Sequence, residues 1–325
     1  MRRVLFLLLK AAVSALLLYL SLRAVHLGSV WARLAGAKAP WLAAAAVLGI
    51  VQLFLVAARW REIADACTAQ LSFNAAVKFS FIGNFFSQVL PSTVGGDAAR
   101  IFLLARSGGG WAHATYSVLI DRIVGVTLLA AIVIACLPWS MDIIHDPLAR
   151  AVLVLIGFGA LAGAAIFLAI GFLPARLAAR IGVVRHLASA SRMGWTLCRR
   201  PASLLVLIAT SLPIHFITVG IVWCCAKSVA APVSFAEVLF LLPPVLLIAT
   251  VPISIAGWGV RESSMIVAFG YAGLAPSDGL TLSILFGLVS FAVGAIGGVV
   301  WIASGLRILP LAALNEPALA EDARP

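Results

Sequence analysis

The stretch LPSTVGGDAAR, at residues 90–100, inserts a proline, two glycines, an aspartate and an arginine between two long apolar runs. A second stretch, VPISIAGWGVRE at residues 251–262, does the same later in the chain. Proline lacks a backbone donor, and glycine adopts conformations that other residues avoid, so both interrupt helices. The two stretches therefore predict two broken helices in a chain that is otherwise built from long apolar helices.

The composition around these breaks is that of a membrane protein. Of the 325 residues, 63% are hydrophobic and only 11% are charged, whereas a soluble domain has about a quarter of its residues charged. Apolar runs of about 20 residues, long enough to cross a bilayer as a helix, recur along the chain. We predict an all-α polytopic membrane protein with full spans at 4–22, 41–58, 115–138, 149–172, 202–226 and 279–303.

The two broken stretches, 73–105 and 235–274, are expected to be re-entrant segments, which gives about eight membrane segments. They form one transmembrane domain over residues 1–310, followed by a short cytoplasmic tail at 311–325.

Loop charge predicts the orientation of this domain, because cytoplasmic loops are enriched in Lys and Arg. The loop 173–200 carries six arginines and no acid, and the loop 139–147 carries two aspartates and no Lys or Arg. The first is therefore expected inside and the second outside, with both termini in the cytoplasm. The loop 23–40 does not fit, since Arg23, Arg33 and Lys38 fall on the predicted outer side.

The two breaks share the pattern P-x4-G-x3-R, with an offset of 161 residues between the copies (252 minus 91). The first copy consists of Pro91, Gly96 and Arg100, and the second of Pro252, Gly257 and Arg261. The same offset superimposes predicted spans on each other, and a Ser-Phe dipeptide precedes each break. Three full spans separate the copies, so they start from opposite sides of the membrane. This predicts an inverted-topology repeat with halves at about 1–140 and 145–305.

In such repeats, broken helices meet near the bilayer midplane and form a substrate site. The glycines let the chain turn and approach a ligand, and helices that restart after them direct N-terminal amides at an anion. Arg100 and Arg261 add two positive charges suited to a phosphate. The alternative is that both arginines lie at helix ends and extend to the interface. The remaining candidates for headgroup binding are Gly95, Gly96, Gly257, Gly259 and Trp258, with Pro91 and Pro252 as the helix breaks.

Other polar residues near the breaks each have two interpretations. Asp121 lies within a predicted span and pairs either with a cavity arginine such as Arg100 or in an ion pair that fixes helix packing. Asn84 and Gln88 share a helix face and either line the pathway or bond to a neighbouring helix. The further candidates for pathway or ion-pair roles are Asp97, Arg122 and Glu262. The glycines at 294–298 serve either dimerisation or packing within the bundle.

Three stretches resemble a known family: GNFFSQVLPSTVGGDAARIFLLAR at 83–106, SVLIDRIVGV at 117–126 and PISIAGWGVRES at 252–263. The chain resembles the lysylphosphatidylglycerol synthase transmembrane domain family, also called the flippase-like domain family. The resemblance implies an integral protein of a bacterial-type inner membrane. In some members this domain is fused to a soluble aminoacyl-transferase domain, and it is held to move the lipid product between leaflets. Only about twenty residues follow span 279–303, so no synthase domain is expected here.

Three functions remain open. The first is a flippase or scramblase for an anionic phospholipid or lipid-linked intermediate. The second is a membrane enzyme, which would need a nucleophile–base pair or a metal cluster that the sequence does not offer. The third is a non-transporting partner of a lipid-modifying enzyme or glycosyltransferase. We expect a transporter that is not an enzyme, with no cofactor, no metal and no nucleic-acid partner. The lipid, the direction of movement, the energy source and the oligomeric state stay open.

Overall fold

Helices account for all regular secondary structure in the part of the chain that the computed structural model describes, namely residues 27–90, 95–250 and 259–306 with Leu16, Tyr19 and Arg23. A five-residue π-helical turn, Ala105–Gly109, follows the fourth α-helix. The α-helices of these ranges are α1 (Leu27–Ala35), α2 (Ala39–Ala66), α3 (Phe73–Val89), α4 (Gly95–Leu104), α5 (Trp111–Ile143), α6 (Pro147–Ile170), α7 (Ala175–Ala178), α8 (Gly182–Arg199), α9 (Pro201–Ser228), α10 (Phe235–Ala249), α11 (Val260–Tyr271) and α12 (Pro276–Ala303).

Five of these helices, α2, α5, α6, α9 and α12, are long and apolar enough to cross a membrane. They correspond to five of the six predicted full spans, and most extend beyond the predicted limits. The predicted span 4–22 lies, apart from Leu16 and Tyr19, outside the described residues. The chain is therefore a multi-pass helical membrane protein, as its composition predicts.

Serine caps begin the two helices that lead into the breaks. The hydroxyl of Ser72 accepts a hydrogen bond from the amide of Ala75 at the start of α3. Ser234 caps α10 in the same way, and Glu237 completes a capping box there. The two Ser-Phe dipeptides thus start helices of similar length, because a serine oxygen satisfies an amide that the first turn leaves unpaired.

After the first break the chain turns back, and α4 packs along α3. A Cβ atom added at Gly96 would lie 1.9 Å from Oγ of Ser87 and 2.3 Å from the carbonyl oxygen of Gly83. No side chain fits in this space, so Gly96 allows the two backbones to touch. Gly95 likewise packs against Leu90 and the carbonyl of Phe86. The close approach made by these glycines is to α3. Pro91 lies outside the described residues.

At the second break α11 begins at Val260 and packs against α10. Its N-cap, Gly259, has a φ of +87°, in the left-handed region that glycine tolerates best. Pro252, Gly257 and Trp258 lie outside the described residues. Helices follow both breaks, since α4 begins at Gly95 and α11 begins at Val260.

The order of one long, two short and one long helix occurs twice, in α2–α5 and in α9–α12. Corresponding helices start 162 residues apart for the first two positions (201 minus 39, 235 minus 73). They start 165 residues apart for the last two (260 minus 95, 276 minus 111).

The two sets of helices are packed into each other. Helix α2 lies against α9, and α12 lies against α3. A Cβ atom at Gly297 would lie 1.9 Å from the carbonyl oxygen of Phe81, and one at Gly298 would lie 2.9 Å from the ring of Phe85. The glycines at 294–298 therefore serve packing within the bundle, which is one of the two roles that the sequence left open.

The arginine-rich loop folds as α7 and α8, at the end of the bundle where α2 ends and α5 begins. Ala190 and Leu197 of α8 share a hydrophobic cluster with Ile63 and Tyr116. The hydroxyl of Tyr116 also lies 2.6 Å from Nδ1 of His186. Helix α12 runs antiparallel to α3, so its first residues lie at the opposite end. There Asp278 forms an ion pair with Arg33, which neutralises one of the cations that did not fit the predicted orientation.

Candidate functional site

A cavity of about 340 Å³ lies among α2, α3, α4, α5 and α9, and Thr250 at the end of α10 completes its wall. Both sets of helices contribute to it, because α9 and α10 belong to the second. Its polar and charged wall residues are Gln52, Arg59, Ser80, Asn84, Ser87, Asp97, Arg100, Asp121, Arg122, His215 and Thr250.

Asp121 is the centre of the charged groups in this wall. Its Oδ1 accepts a hydrogen bond from Nε of Arg59 at 2.8 Å, and its Oδ2 accepts one from Nη1 of Arg100 at 3.0 Å. Asp121 thus pairs with Arg100, which was one of the two interpretations that the sequence left open. The carboxylate joins α2, α4 and α5, so the same contacts also fix helix packing.

Asp97 extends these contacts by a second pair. Its Oδ1 accepts from Nη2 of Arg100 at 2.9 Å, and its Oδ2 accepts from Nε of Arg122 at 2.7 Å. Asp97 thus forms an ion pair with Arg100, which is one of the two roles for which the sequence made it a candidate. The five side chains form an alternating row in the order Arg59, Asp121, Arg100, Asp97 and Arg122. Adjacent residues in the chain, Asp121 and Arg122, pair with different partners because a helix turns about 100° per residue.

The five described residues of this row carry one more positive than negative charge. Three guanidinium groups face two carboxylates, and the other four members are buried, whereas the Arg122 side chain is 49% exposed. Removing charge from water is costly unless the charge is paired. An anion that enters from the side of Arg122 would therefore balance the row.

Packing fixes the position of Arg100 within the row. Its guanidinium carbon lies 4.9 Å from the ring centre of the fully buried Trp60, in a cation–π contact. The indole of Trp60 donates to Oγ of Ser117 at 3.1 Å. On the other side a Cβ at Gly83 would come within 2.8 Å of Cγ of Arg100, so only glycine leaves room for the arginine stem.

Arg59 and His215 connect the row to α9. Nη1 of Arg59 donates to Oγ of Ser211 at 3.1 Å. Nε2 of His215 donates to the carbonyl of Gly125 at 3.0 Å. The second set of helices thus contacts the charged row through side chains as well as through the cavity wall.

One fully buried polar atom in this wall has no partner in the described part of the chain. The hydroxyl of Ser80 is buried and makes no hydrogen bond there. Buried polar atoms are nearly always bonded, and an exception indicates a place for water or a ligand. Ser80 lies on the same cavity as Arg59 and Arg100.

A second cavity of about 220 Å³ lies beside the first. The two share Gln52, Leu53 and Asn84 as wall residues. Gln52 is held by α9, because its amide donates to the carbonyl of Ile214 at 2.9 Å and to Oγ1 of Thr218 at 2.6 Å. The additional polar wall residues of this second cavity are Gln88, Thr218 and Ser290.

The residues after the second break form a separate cluster. Arg261 donates to Oε1 of the buried Glu262 at 2.8 Å and to Oγ of Ser283 at 2.9 Å. Oε2 of Glu262 accepts from the amide of Gly259 at 2.7 Å. The Arg261 guanidinium lies over the ring of Phe286, which lines the second cavity. Arg100 lines the first cavity, whereas Arg261 contacts a wall residue of the second cavity. The structure therefore does not bring the two arginines together in one site.

Arg59 and Ser80 were not among the site residues inferred from the sequence. The predicted span ended at residue 58, whereas α2 continues to Ala66 and includes Arg59. A usable signal was present, because Gln52 and Arg59 stand seven residues apart and thus share a helix face. Ser80 gave no such signal among the many serines of the chain.

Sequence comparisons agree with this architecture. A comparison with curated proteins gave no match. The sequence profile of a family described as the lysylphosphatidylglycerol synthase TM region matches residues 7–298, which is most of the chain and includes both cavities. The chain therefore belongs to the lysylphosphatidylglycerol synthase transmembrane-region family, a membrane domain of a lipid-related family.

Proposed function

We propose that this protein is a lipid flippase or scramblase that moves an anionic phospholipid or lipid-linked intermediate between leaflets, and that it is not an enzyme. The first cavity binds the phosphate of the headgroup. The observation that carries the proposal is the row of three arginines and two aspartates on a cavity wall that also bears the hydroxyl of Ser80, which has no partner among the described residues.

The charged row can bind a phosphate and can also release it. Guanidinium groups bind phosphate oxygens through paired hydrogen bonds. Asp97 and Asp121 already pair with the arginines, so the empty cavity avoids the cost of isolated buried charge. When a phosphate displaces Asp97 from Arg122, Arg122 loses its ion pair with Asp97 and gains one with the phosphate. Binding is then reversible, as transport requires.

We propose that the hairpins α3–α4 and α10–α11 are re-entrant segments of an inverted repeat, as the sequence predicts. The arginine-rich α7 and α8 favour a cytoplasmic location for their end of the bundle. Asp121 lies ten residues after Trp111, or about 15 Å into α5. The first cavity is then closer to the cytoplasmic side, and the second cavity and Arg261 lie further along the route.

The test uses purified protein in liposomes that carry fluorescent lipids of different headgroup charge. The rate at which label becomes accessible from the other leaflet is measured for the wild type, Arg122→Gln and Arg106→Gln. Arg122 is the least buried member of the row, so this variant removes one positive charge while the four buried members of the row remain. Arg106 is exposed and outside the cavity, which makes it the matched control. We expect Arg122→Gln to slow anionic lipids selectively, and Arg106→Gln to behave as wild type.

Two results would count against the proposal. Equal movement of anionic and zwitterionic lipids in wild type would rule out selectivity for headgroups with a net negative charge, because both kinds of lipid carry a phosphate. If no lipid moves although the protein is folded, a non-transporting partner of a lipid-modifying enzyme becomes the better explanation, and copurifying proteins become the next target.

A further inference from the structure

We propose that an apolar groove under the arginine-rich helix α8 binds one acyl chain of an anionic phospholipid, whose phosphate pairs with Arg199 and Arg200. The groove lies between α5, α6, α8 and α9 and has a volume of about 150 Å³. The lipid in it is a resident of the surrounding leaflet and not the transported molecule. This inference does not rest on the proposed function.

The groove is separate from both cavities described above. Its wall includes no wall residue of the first or the second cavity. On α5, Ile120 and Val124 line the groove, and the residues that directly follow them, Asp121 and Gly125, line the first cavity. A helix turns about 100° per residue, so the two pairs lie on different faces of α5. Helix α5 therefore stands between the groove and the first cavity.

The wall of the groove is suited to a hydrocarbon chain. The described residues that line it include no charged side chain. The hydroxyl of Thr127 donates to the carbonyl of Ile123 on its own helix at 2.7 Å. The other side chains of the wall are hydrocarbons, apart from the thiol of Cys198. A wall of this kind offers water too few partners, so an apolar chain is the occupant that it favours.

The groove opens at the surface of the bundle, where lipid chains lie. Leu204 is 40% exposed and Ile208 is 37% exposed, and both are wall residues. They stand three and seven residues after Pro201, or about 5 and 10 Å from the start of α9. A chain that enters here from the leaflet keeps its headgroup at the end of the bundle.

Two arginines stand at this end of the groove. Arg199 and Arg200 directly follow Cys198, both are exposed, and neither forms an ion pair with a described residue. The guanidinium carbon of Arg199 lies 5.6 Å from the ring centre of Trp195. The indole of Trp195 in turn donates to the carbonyl of the wall residue Leu168 at 2.9 Å, which holds Arg199 at the edge of the groove.

The charge of this region determines which lipid fits. The segment 173–200 carries six arginines and no acid, and guanidinium groups pair with phosphate oxygens. A zwitterionic lipid brings a cation of its own to the arginines, whereas an anionic lipid brings only the phosphate charge. The groove should therefore prefer an anionic phospholipid.

Cys198 serves as a native reporter of this site, because it is an exposed residue of the groove wall. The experiment uses the purified full chain in nanodiscs of phosphatidylcholine alone and of an equimolar mixture with phosphatidic acid. The rate at which N-ethylmaleimide labels Cys198 is followed by mass spectrometry. We expect labelling to be about threefold slower in the mixture, as for a ligand at about twice its Kd. Because the lipid exchanges with the bilayer, labelling is slowed and still reaches completion.

One pair of variants tests the groove itself. Ala164→Phe places a ring in the groove, and Ala165→Phe adds the same ring at the next, exposed position outside the wall. Ala164→Phe should label at the same rate in both lipid compositions, whereas Ala165→Phe should keep the wild-type difference. Thermal unfolding in nanodiscs verifies that both variants are folded.

A second pair of variants tests the arginines. Arg199→Gln combined with Arg200→Gln should abolish the difference between the two lipid compositions. Arg176→Gln combined with Arg180→Gln removes the same charge from exposed positions on the same loop, outside the wall, and should preserve the difference.

Four results would overturn the proposal. Equal labelling rates of wild type in the two lipid compositions would mean that no anionic lipid covers Cys198. If folded Ala164→Phe keeps the wild-type difference, the acyl chain does not lie in the groove. An equal loss in both double variants would indicate general attraction of the loop to an anionic surface and no defined site. Slow labelling in both lipids that becomes fast in nanodiscs with a single chain would assign the groove to a second copy of the protein.

Discussion

Nη1 of Arg100 donates a hydrogen bond to Oδ2 of Asp121 at 3.0 Å, and both side chains are buried. The other oxygen of Asp121 accepts from Arg59, so one carboxylate holds a cation from α2 and another from α4. Loss of this carboxylate would leave two guanidinium groups close together without their shared counterion. The position of three helices around the first cavity therefore depends on one side chain.

We predict that Asp121→Asn destabilises the fold by about 3–5 kcal/mol, the usual cost of removing one partner from a buried ion pair. Asp142→Asn provides the control on the same helix, because Asp142 is exposed. Thermal unfolding of both variants in detergent measures the difference. Adding Arg59→Gln to Asp121→Asn should recover part of the loss, since it removes one of the two unpaired cations. Equal unfolding temperatures for Asp121→Asn and Asp142→Asn would contradict the central role of Asp121.

A second prediction concerns the contact between α12 and α3. Gly297→Ala adds a methyl group where the carbonyl oxygen of Phe81 lies 1.9 Å away, so the helices must separate. We expect a destabilisation of about 1–3 kcal/mol, as for other overpacked positions. Gly163→Ala on α6 is the matched change, because nothing lies within 4 Å of its added methyl group. There alanine should leave stability unchanged or raise it by up to about 1 kcal/mol. Crosslinking in detergent measures whether either variant changes the oligomeric state. An oligomer that is present in wild type and lost only in Gly297→Ala would contradict packing within the bundle as the main role of Gly297.

Arg59 supports a third prediction, about affinity. Its guanidinium is a wall group of the first cavity, so Arg59→Gln should weaken phosphate binding by about tenfold or more, the loss expected for one charge-assisted hydrogen bond. Arg61→Gln changes the same residue type two positions away on α2, where the side chain is 50% exposed and pairs with Asp65. Calorimetric titration with inorganic phosphate in nanodiscs compares the two. A similar loss in Arg61→Gln would indicate a general charge effect and no defined site.

The sequence predicted the helical class and five of the observed spans, and it offered the pairing of Asp121 with Arg100 as one of two interpretations. These follow from local pattern, because apolar length, proline, glycine and serine caps act within a few residues. Arg59 was missed because hydropathy ended its helix early, although the helix continues for seven residues beyond Arg59. Contacts between distant segments, such as Gly297 with Phe81, depend on how the two sets of helices pack, and no local pattern encodes that.

The shared spacing of the two breaks was a less reliable guide to the site. Arg100 stands five residues after the start of α4, whereas Arg261 stands one residue after the start of α11. The two arginines therefore occupy different turns of their helices despite the constant offset in the sequence. Arg100 bonds to Asp97 three residues earlier, and Arg261 bonds to its neighbour Glu262. Two residues at the same spacing in the sequence occupy equivalent helix positions only if their helices also begin at equivalent residues.

The cysteines offer a test of orientation without any mutation. Cys198 on α8 is exposed, whereas Cys67, Cys224 and Cys225 are buried and Cys136 lies within the span α5. A charged maleimide that cannot cross membranes should thus label Cys198 alone. If the arginine-rich end faces the cytoplasm, intact spheroplasts will protect Cys198 and inverted vesicles will expose it.

The pH dependence of this labelling distinguishes exposure from partial unfolding. Thiolates react with maleimides, so labelling rises as pH approaches the pKa of the thiol. Burial raises the pKa of Cys67 to about 12, and it also raises that of Cys198 above its ordinary value. At about pH 8.5 we therefore expect one label per folded chain, on Cys198, and labels on the other four cysteines only after denaturation. Mass spectrometry of the labelled peptides checks the site. Label on Cys198 in sealed spheroplasts would reverse the proposed orientation, and with it the side of the membrane from which the first cavity is loaded.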